Sequence, residues 1–315
     1  MQKPRKLNVL PENPEEKNPS KAVGPGRFPP WLRRKLPKGN ALWQTQRIVG
    51  KHRLSTVCEE AKCPNLMSCW SQKTATFLAM GHQCTRSCGF CSIDFAAQPK
   101  VLDENEPKHL AESVKQLELK HAVITMVARD DLSDGGAAHM SKIIQEVRRQ
   151  NPGTTIEVLT SDFEGNEDAL HTIVEAKPEI FNHNIETVRS LTPRVRHRAS
   201  YDRTLSVLRY VSQHQSNTYL KSGLMVGLGE TDEEVKETIR DLFEAGCQLI
   251  TIGHYLQSSP RKLRVKAFIT PEQFEEYAAY GRSIGVLDVY SGPFVRSSYN
   301  AASLFKALLE KKIHD

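Results

Sequence analysis

Between residues 75 and 290, β-branched and apolar runs alternate with longer amphipathic stretches, and this rhythm restricts the fold more than any other feature. Strands are expected at Ala75–Met80, His121–Val127, Thr155–Thr160, Ile180–Ile185, Tyr219–Val226, Leu249–Tyr255 and Val286–Tyr290. Helices are expected at Lys108–Leu119, Ala138–Gln150, Glu167–Ala176, Asp202–His214, Asp232–Ala245 and Pro271–Gly281, with Thr231 and Glu234 at the spacing of a capping box. Strands linked through helices run parallel, so the chain reads as α/β, built from six to seven βα units. That number suits a parallel (β/α) barrel, partial or complete, with an N-terminal extension. No G-x-G-x-x-G follows the first strand to favour a dinucleotide fold. In such barrels chemistry sits on the loops after the strands. Those loops carry ARDDLSDGG (128–136), HNIET (183–187), GLGE (227–230) and HYLQ (254–257).

Six of the seven cysteines crowd into residues 58 to 91, as Cys58-x4-Cys63-x5-Cys69 and Cys84-x3-Cys88-x2-Cys91. Each group offers three thiolates. A closed zinc site wants four ligands, usually from C-x2-C pairs, and only Cys88 and Cys91 have that spacing. A four-iron cluster on three cysteines leaves one iron open to bind something else. Zinc stays a competing reading on spacing alone. Cys247 stands apart, where a helix runs into a strand, and reads as a small buried hydrophobe.

The net charge of +6 is uneven: residues 1–40 sum to +7, so the other 275 sum to about −1. The same forty residues hold eight of the seventeen prolines. Such a basic, proline-rich arm cannot bury enough apolar surface to fold alone, though Phe28, Trp31 and Leu32 could anchor it along the main domain. It could steer an acidic partner, nucleic acid or an acidic carrier protein, or it could be a solubilising tail. There is no apolar run of membrane-spanning length and no secretory signal. A cytoplasmic, reducing setting is therefore expected, with metal binding rather than disulfides for the clustered thiols.

The Cys84-x3-Cys88-x2-Cys91 string, with Phe90 before its last cysteine, resembles the signature of radical S-adenosylmethionine enzymes. Joined to Cys58-x4-Cys63-x5-Cys69 and to Arg296-Ser297-Ser298-Tyr299, it resembles the lipoyl synthase family of that superfamily. ARDDLSDGGA, FNHNIETV, GLMVGLGET and TIGHYLQ strengthen the likeness, which runs from about residue 45 to 300. One departure is Gly253-His254-Tyr255-Leu256-Gln257-Ser258, where the family reads G-Q-Y-L-Q-P. His254 is a ligand-facing base or, as lone histidines more often are, a packed or solvated one.

The resemblance implies insertion of two sulfur atoms at C6 and C8 of an octanoyl chain held on a carrier lysine. An unactivated methylene is neither acidic nor electrophilic, so radical chemistry from a cofactor is required. It implies S-adenosylmethionine and two [4Fe-4S] clusters as cofactors. One cluster, on Cys84, Cys88 and Cys91, binds and cleaves S-adenosylmethionine. The other, on Cys58, Cys63, Cys69 and Ser298, surrenders its sulfide. Phe90, Asn184, Glu186, Gly227, Gly229 and Glu230 are the implied cofactor contacts, although a Gly-x-Gly after a strand is equally an ordinary βα turn. Arg129 and Asp130 are similarly placed, with a structural role as the alternative; His183 and His197 are assigned no chemistry.

The implied organisation is a basic arm (1–40), an auxiliary-cluster segment (41–74), the barrel (75–295) and a C-terminal segment closing that cluster (296–315). Implied partners are octanoylated lipoyl carrier domains: 2-oxoacid dehydrogenase E2 subunits and the glycine cleavage H protein. An electron donor such as ferredoxin or flavodoxin and an iron-sulfur carrier complete the set, with no membrane or nucleic acid expected. Arg33, Arg34, Lys35 and Lys38 are the proposed carrier contacts. Two rivals remain: another sulfur-inserting or methylthiolating radical enzyme, including one acting on RNA, and a zinc-stabilised nucleic-acid-binding module. The second would interleave aromatic and basic residues on a strand surface, and only 7% of the chain is aromatic.

Overall fold

The computed structural model describes residues 29–33, 41–51, 54–72, 74–215, 217–299 and 301. Ten strands are seen among them: β1 (Ser55–Thr56), β2 (Thr76–Ala79), β3 (Gln83–Cys84), β4 (Asp94–Phe95), β5 (His121–Met126), β6 (Thr155–Leu159), β7 (Ile180–Asn182), β8 (Tyr219–Val226), β9 (Leu249–His254) and β10 (Asp288–Gly292). Eight join one sheet in the order β1-β2-β5-β6-β7-β8-β9-β10. All neighbours from β2 to β10 pair in parallel, and β1 alone adds antiparallel at the edge. The order follows the chain, as successive βα units winding one way require. No pairing between β1 and β10 closes the circle among the described residues. The expected α/β architecture of parallel βα units is present.

The helices before β2 are α1 (Ala41–Lys51), α2 (Val57–Glu60) and α3 (Leu66–Ser71). Those that cover it are α4 (Glu106–Gln116), α5 (Ala137–Gln150), α6 (Glu167–Glu175), α7 (Thr192–Val195), α8 (Tyr201–His214), α9 (Asp232–Glu244) and α10 (Pro271–Ser283). Their starts are written locally. Asn166, Ser200 and Thr270 each accept a backbone N–H from the third residue on, and Thr231 with Glu234 completes the capping box. The main core is continuous: Ile124, Ile156, Val158, Phe181 and Ile252 of the strands meet Ile143, Val147, Ile173, Leu208 and Ile239 of the helices. Cys247 is buried in it, as a small hydrophobe should be. A satellite of Val49, Cys58, Trp70 and Ala75 seats the α1–α3 segment against the sheet edge.

Strand β7 stops at Asn182, short of the expected Ile185. Its continuation keeps only one bridge, Glu186 to Leu224, and Glu186 sits in left-handed backbone at φ 67°. Phe28, Arg34, Lys35 and Lys38 lie outside the described residues. No helix among the described residues is long and apolar enough to cross a membrane.

Candidate functional site: two thiol triplets around one cavity

Beyond β2 the chain turns through Met80 and Gly81, both left-handed, into the loop carrying Cys84, Cys88 and Cys91. Cys84 ends β3, which pairs with β4, and its carbonyl accepts the Ala96 N–H at 2.9 Å. The loop is tied down along its length. Thr85 N–H and Oγ1 both donate to the Ala128 carbonyl (3.1 and 3.0 Å), and Gly89 N–H donates to Val195 at 3.0 Å. Leu263 N–H returns a bond to the Gly89 carbonyl at 3.1 Å. Buried Arg86 reaches two carboxylates, Asp130 and Asp162, each at 2.7 Å. Arg203 shares Asp162 at 2.8 Å. Asp130 is thus used structurally, and Arg129 pairs with Asp131 at 2.7 Å.

The first triplet is carried differently. Cys58 lies in α2, which Thr56 caps by accepting the Glu59 N–H. Cys63 N–H donates to the Cys58 carbonyl at 3.1 Å, and Cys69, in α3, donates to Asn65 at 2.9 Å. A C-terminal strap then crosses toward this segment. Asn65 Nδ2 donates to the Phe294 carbonyl at 2.8 Å. Gly253 permits the approach, since any Cβ there would strike the Val295 carbonyl. Ser298 follows on this strap.

Cys58, Cys63, Cys84, Cys88, Cys91 and Ser298 line one cavity of about 690 Å³, together with Phe90, Asn184 and Glu186. Cys69 is not on its wall; it is half-buried and packs beside Val49, Trp70 and Ala75. None of the cysteines is in a disulfide. Burial pushes the thiols of Cys58 and Cys91 up to about 11 and 12, and raises Cys88 despite the opposing Arg196 cation. As proton-bearing thiols they would be poor ligands, so metal binding must expel the protons. No three His, Cys, Asp or Glu side chains converge as a single-ion site among the described residues. In a four-iron cluster each cysteine takes a different iron, so convergence on one point is not needed.

The glycine loop after β8 does other work. Gly227, Gly229 and Glu230 are absent from the cavity wall. The Glu230 carboxylate accepts the N–H groups of Gly227 and Leu228, closing its own turn. Gly227 has φ 100° and no room for a Cβ against Ala267 and His254. Leu228 of the turn packs in an apolar cluster with Tyr255 and Phe90, which line the cavity. His254 is a packed residue. It is buried, its Nε2 accepts the Ile269 N–H at 3.2 Å, and Nδ1 therefore donates to the Tyr255 carbonyl at 2.6 Å.

Three cavity residues, Thr160, His183 and Arg196, carry no site role in the sequence pattern. His183 is buried, and its Nδ1–H donates to the Thr160 carbonyl at 2.9 Å, leaving Nε2 as an acceptor without a partner. Burial, with Arg196 beside it, pushes His183 down to about 4, so the ring is neutral near pH 7. Thr160 Oγ1 and Asn184 Oδ1 are likewise buried without partners. Arg196 donates to the carbonyls of Asn184 and Ile185 at 3.0 and 3.3 Å. Only a strand-end position hinted at His183. Nothing local marked Arg196.

The model of the Radical SAM superfamily matches residues 78–242. The lipoyl synthase of Protochlamydia amoebophila (strain UWE25) is 60% identical over 301 residues, 95% of this chain and 93% of its own length. The chain belongs to the lipoyl synthase family. The lipoyl synthase of Chlamydia trachomatis serovar A is 51% identical, covering 95% of both chains. Among solved structures, methylornithine synthase superposes with a TM-score of 0.51 at 14% identity, covering 75% of this chain and 80% of its own. A hydrogenase maturase, HydG, gives 0.54 at 14% identity over 67% and 50%. These two likenesses speak to the fold alone.

Membership brings S-adenosylmethionine and a [4Fe-4S] cluster as cofactors. The residues fit such a load. A cavity edged by a cysteine triplet also holds unpartnered buried acceptors at Thr160, His183 and Asn184, which a polar ligand would satisfy.

Proposed function

We propose that the protein inserts two sulfur atoms at C6 and C8 of an octanoyl group, held as an amide on a carrier lysine, to give the lipoyl cofactor. In this reading Cys84, Cys88 and Cys91 hold the cluster that binds S-adenosylmethionine. Cys58, Cys63, Cys69 and Ser298 hold an auxiliary [4Fe-4S] cluster that donates the sulfur. One observation carries the reading: members of both cysteine groups and Ser298 line the same cavity. When bound, these groups supply hydrogen abstraction from an unactivated carbon and the sulfide that takes its place.

The chain's own residues do the rest. Leu32, Leu78, Met126 and Leu224 give the cavity apolar wall on which an acyl tail can lie. Burying about six methylenes is worth roughly 5 kcal/mol at ~0.8 each. The same walls keep water from reactive intermediates. The unpartnered acceptors of His183 and Asn184 are suited to donors on the cofactor, and the Arg196 guanidinium lies close enough to Cys88 to favour its thiolate. An oxygen ligand from Ser298 would be the weak member of a thiolate set, which suits a cluster that must come apart.

One methylene more or less discriminates by only about 1–3 kcal/mol, so chain length alone does not select the substrate. The lipoyl carrier domain adds the remainder, with the basic arm through Arg33, Arg34, Lys35 and Lys38 as its contact. A small electron carrier such as ferredoxin or flavodoxin supplies reducing equivalents, and an iron-sulfur carrier rebuilds the spent cluster. The deciding experiment is anaerobic incubation of the reconstituted protein with S-adenosylmethionine, dithionite and an octanoylated carrier domain. A mass gain matching two sulfurs on the octanoyl chain is expected. Cofactor cleavage with an unchanged carrier mass would reject the reading.

A further inference from the structure

Below the cavity lies a buried polar layer that none of the chemistry above uses. It takes one residue from each of four consecutive strands: His121 of β5, Glu157 of β6, Asn182 of β7 and Lys221 of β8. Glu157 and Asn182 are fully buried and Lys221 is 1% exposed. Gly223 lines the cavity, and residues two apart on a strand share a face, so Lys221 belongs to the cavity side of the sheet. Its ammonium donates to Glu157 Oε1 at 2.8 Å, and Asn182 Nδ2 donates to the same oxygen at 3.1 Å. The other Glu157 oxygen faces His121 Nε2 at 3.3 Å.

A second Lys221 donor leaves the layer. It reaches the main-chain carbonyl of Ser297 at 2.5 Å, immediately before Ser298. The Ser297 hydroxyl accepts from Asn184 Nδ2 at 3.3 Å, so the strap is gripped at one residue both from within β8 and from the segment just after β7. Stability alone does not account for this arrangement, because an apolar pair of similar volume would commonly serve a core as well as a buried ion pair. An apolar pair could not hold a carbonyl.

We propose that Lys221, itself held by Glu157, is a positioning residue that seats the Ser297–Ser298 turn so that the Ser298 hydroxyl faces the auxiliary cysteines. The inference rests on the reading of Ser298 given above. Lys221 touches neither cofactor nor substrate. It acts through the main chain of its neighbour, and the charge of Glu157 keeps its ammonium in place.

The test uses the full chain, reconstituted anaerobically with Cys84, Cys88 and Cys91 replaced by Ala, so that only the auxiliary cluster contributes to the spectrum. The electron paramagnetic resonance signal of the reduced cluster is compared among Ser298, Ser298→Ala, and the double variant Lys221→Met with Glu157→Gln. The double change removes both buried charges together, which separates loss of the grip from the cost of an orphaned carboxylate. Its signal is expected to shift to that of Ser298→Ala. With the three cysteines restored, lipoyl yield should fall on the order of tenfold while cleavage of S-adenosylmethionine continues. A shifted signal in Ser298→Ala but an unshifted one in the double variant overturns the role of Lys221 and leaves the serine ligand standing. Unshifted signals in both overturn the two ideas together. If the double variant does not fold, Lys221→Arg and Lys221→Met are compared in the cold: Arg should keep the unshifted signal and Met should lose it, and identical signals overturn the proposal.

Discussion

The loop that carries Cys84, Cys88 and Cys91 is bonded to loops following β5, β6, β7 and β9, whereas the Cys58–Cys69 segment is two short helices leaning on the sheet edge. The first is held by Arg86 between Asp130 and Asp162 and by main-chain bonds at Thr85 and Gly89. The second is held by a small apolar cluster, by the Thr45 hydroxyl on the Trp70 carbonyl, by the edge pairing of β1 with β2, and by Asn65 reaching the C-terminal strap. A cluster that must bind and cleave the same cofactor repeatedly gains from a rigid frame. One that gives up its sulfide gains from ligands that can let go. The proposed roles of the two triplets suit this difference in constraint.

The widest separation between the two groups should come from removing single thiols. Cys84→Ala is expected to abolish 5′-deoxyadenosine formation and lipoyl product together. Cys58→Ala should abolish product while leaving nucleoside formation measurable by chromatography. Equal loss of both products in the two variants would erase the division of labour. Ser298→Ala comes next: product should drop by about tenfold or more, the scale on which metal-site partners act, with cofactor cleavage retained. Full lipoyl formation in that variant would remove Ser298 from the ligand set.

The rigid frame itself is tested by Arg86→Met. Asp162 would keep Arg203 at 2.8 Å and Asp130 the more distant Arg198 at 3.8 Å, but losing the cation that joins them should still cost about 3–5 kcal/mol in chemical unfolding; a cost below about 1 kcal/mol, the upper range for exposed pairs, would mean the network is not what holds the loop.

The platform under the strap has a pH signature. Burial raises the Glu157 carboxyl, but Lys221 and His121 outweigh it and hold it at about 2, below its ordinary 4.5. A carboxylate with a depressed folded-state value contributes stability above its unfolded value and loses it as pH falls through the window between the two. Glu157→Gln should therefore flatten the acid limb of stability between about pH 5 and pH 2. An unchanged slope would show that the pair carries no linkage.

The smallest effect is expected from His254→Gln, which restores the family's usual residue. Gln can also accept from Ile269, so the loss should stay near one hydrogen bond, about 1 kcal/mol, with no change in either cluster's spectrum. A spectral change would make His254 more than a packed residue.

Much of the frame could be read from the chain. β8 spans Tyr219–Val226 as its alternation indicates, and α9 begins at the capping box formed by Thr231 and Glu234. The errors lie where side chains serve the cavity. β7 is three residues shorter than its apolar pattern suggests, because His183 and Asn184 turn to the site and Glu186 takes left-handed backbone. The two-residue strands β3 and β4 left no periodic trace long enough to see, whereas α1 is amphipathic but lies before the regular βα alternation begins. Glu230 looked like a ligand group by position and instead closes its own turn, a choice set by hydrogen-bond geometry rather than residue type.

By itself the sequence determined the βα alternation, the helix starts and the two cysteine groups, because these depend on neighbours within a few positions. Only the tertiary structure decided that Ser298 shares a cavity with Cys58 and Cys84, and that Lys221 grips the residue beside it. The first brings together positions more than two hundred residues apart, and the second joins residues 76 apart. No local pattern encodes them. They arise when the strap passes close over Gly253 and the buried layer under the cavity offers it a donor.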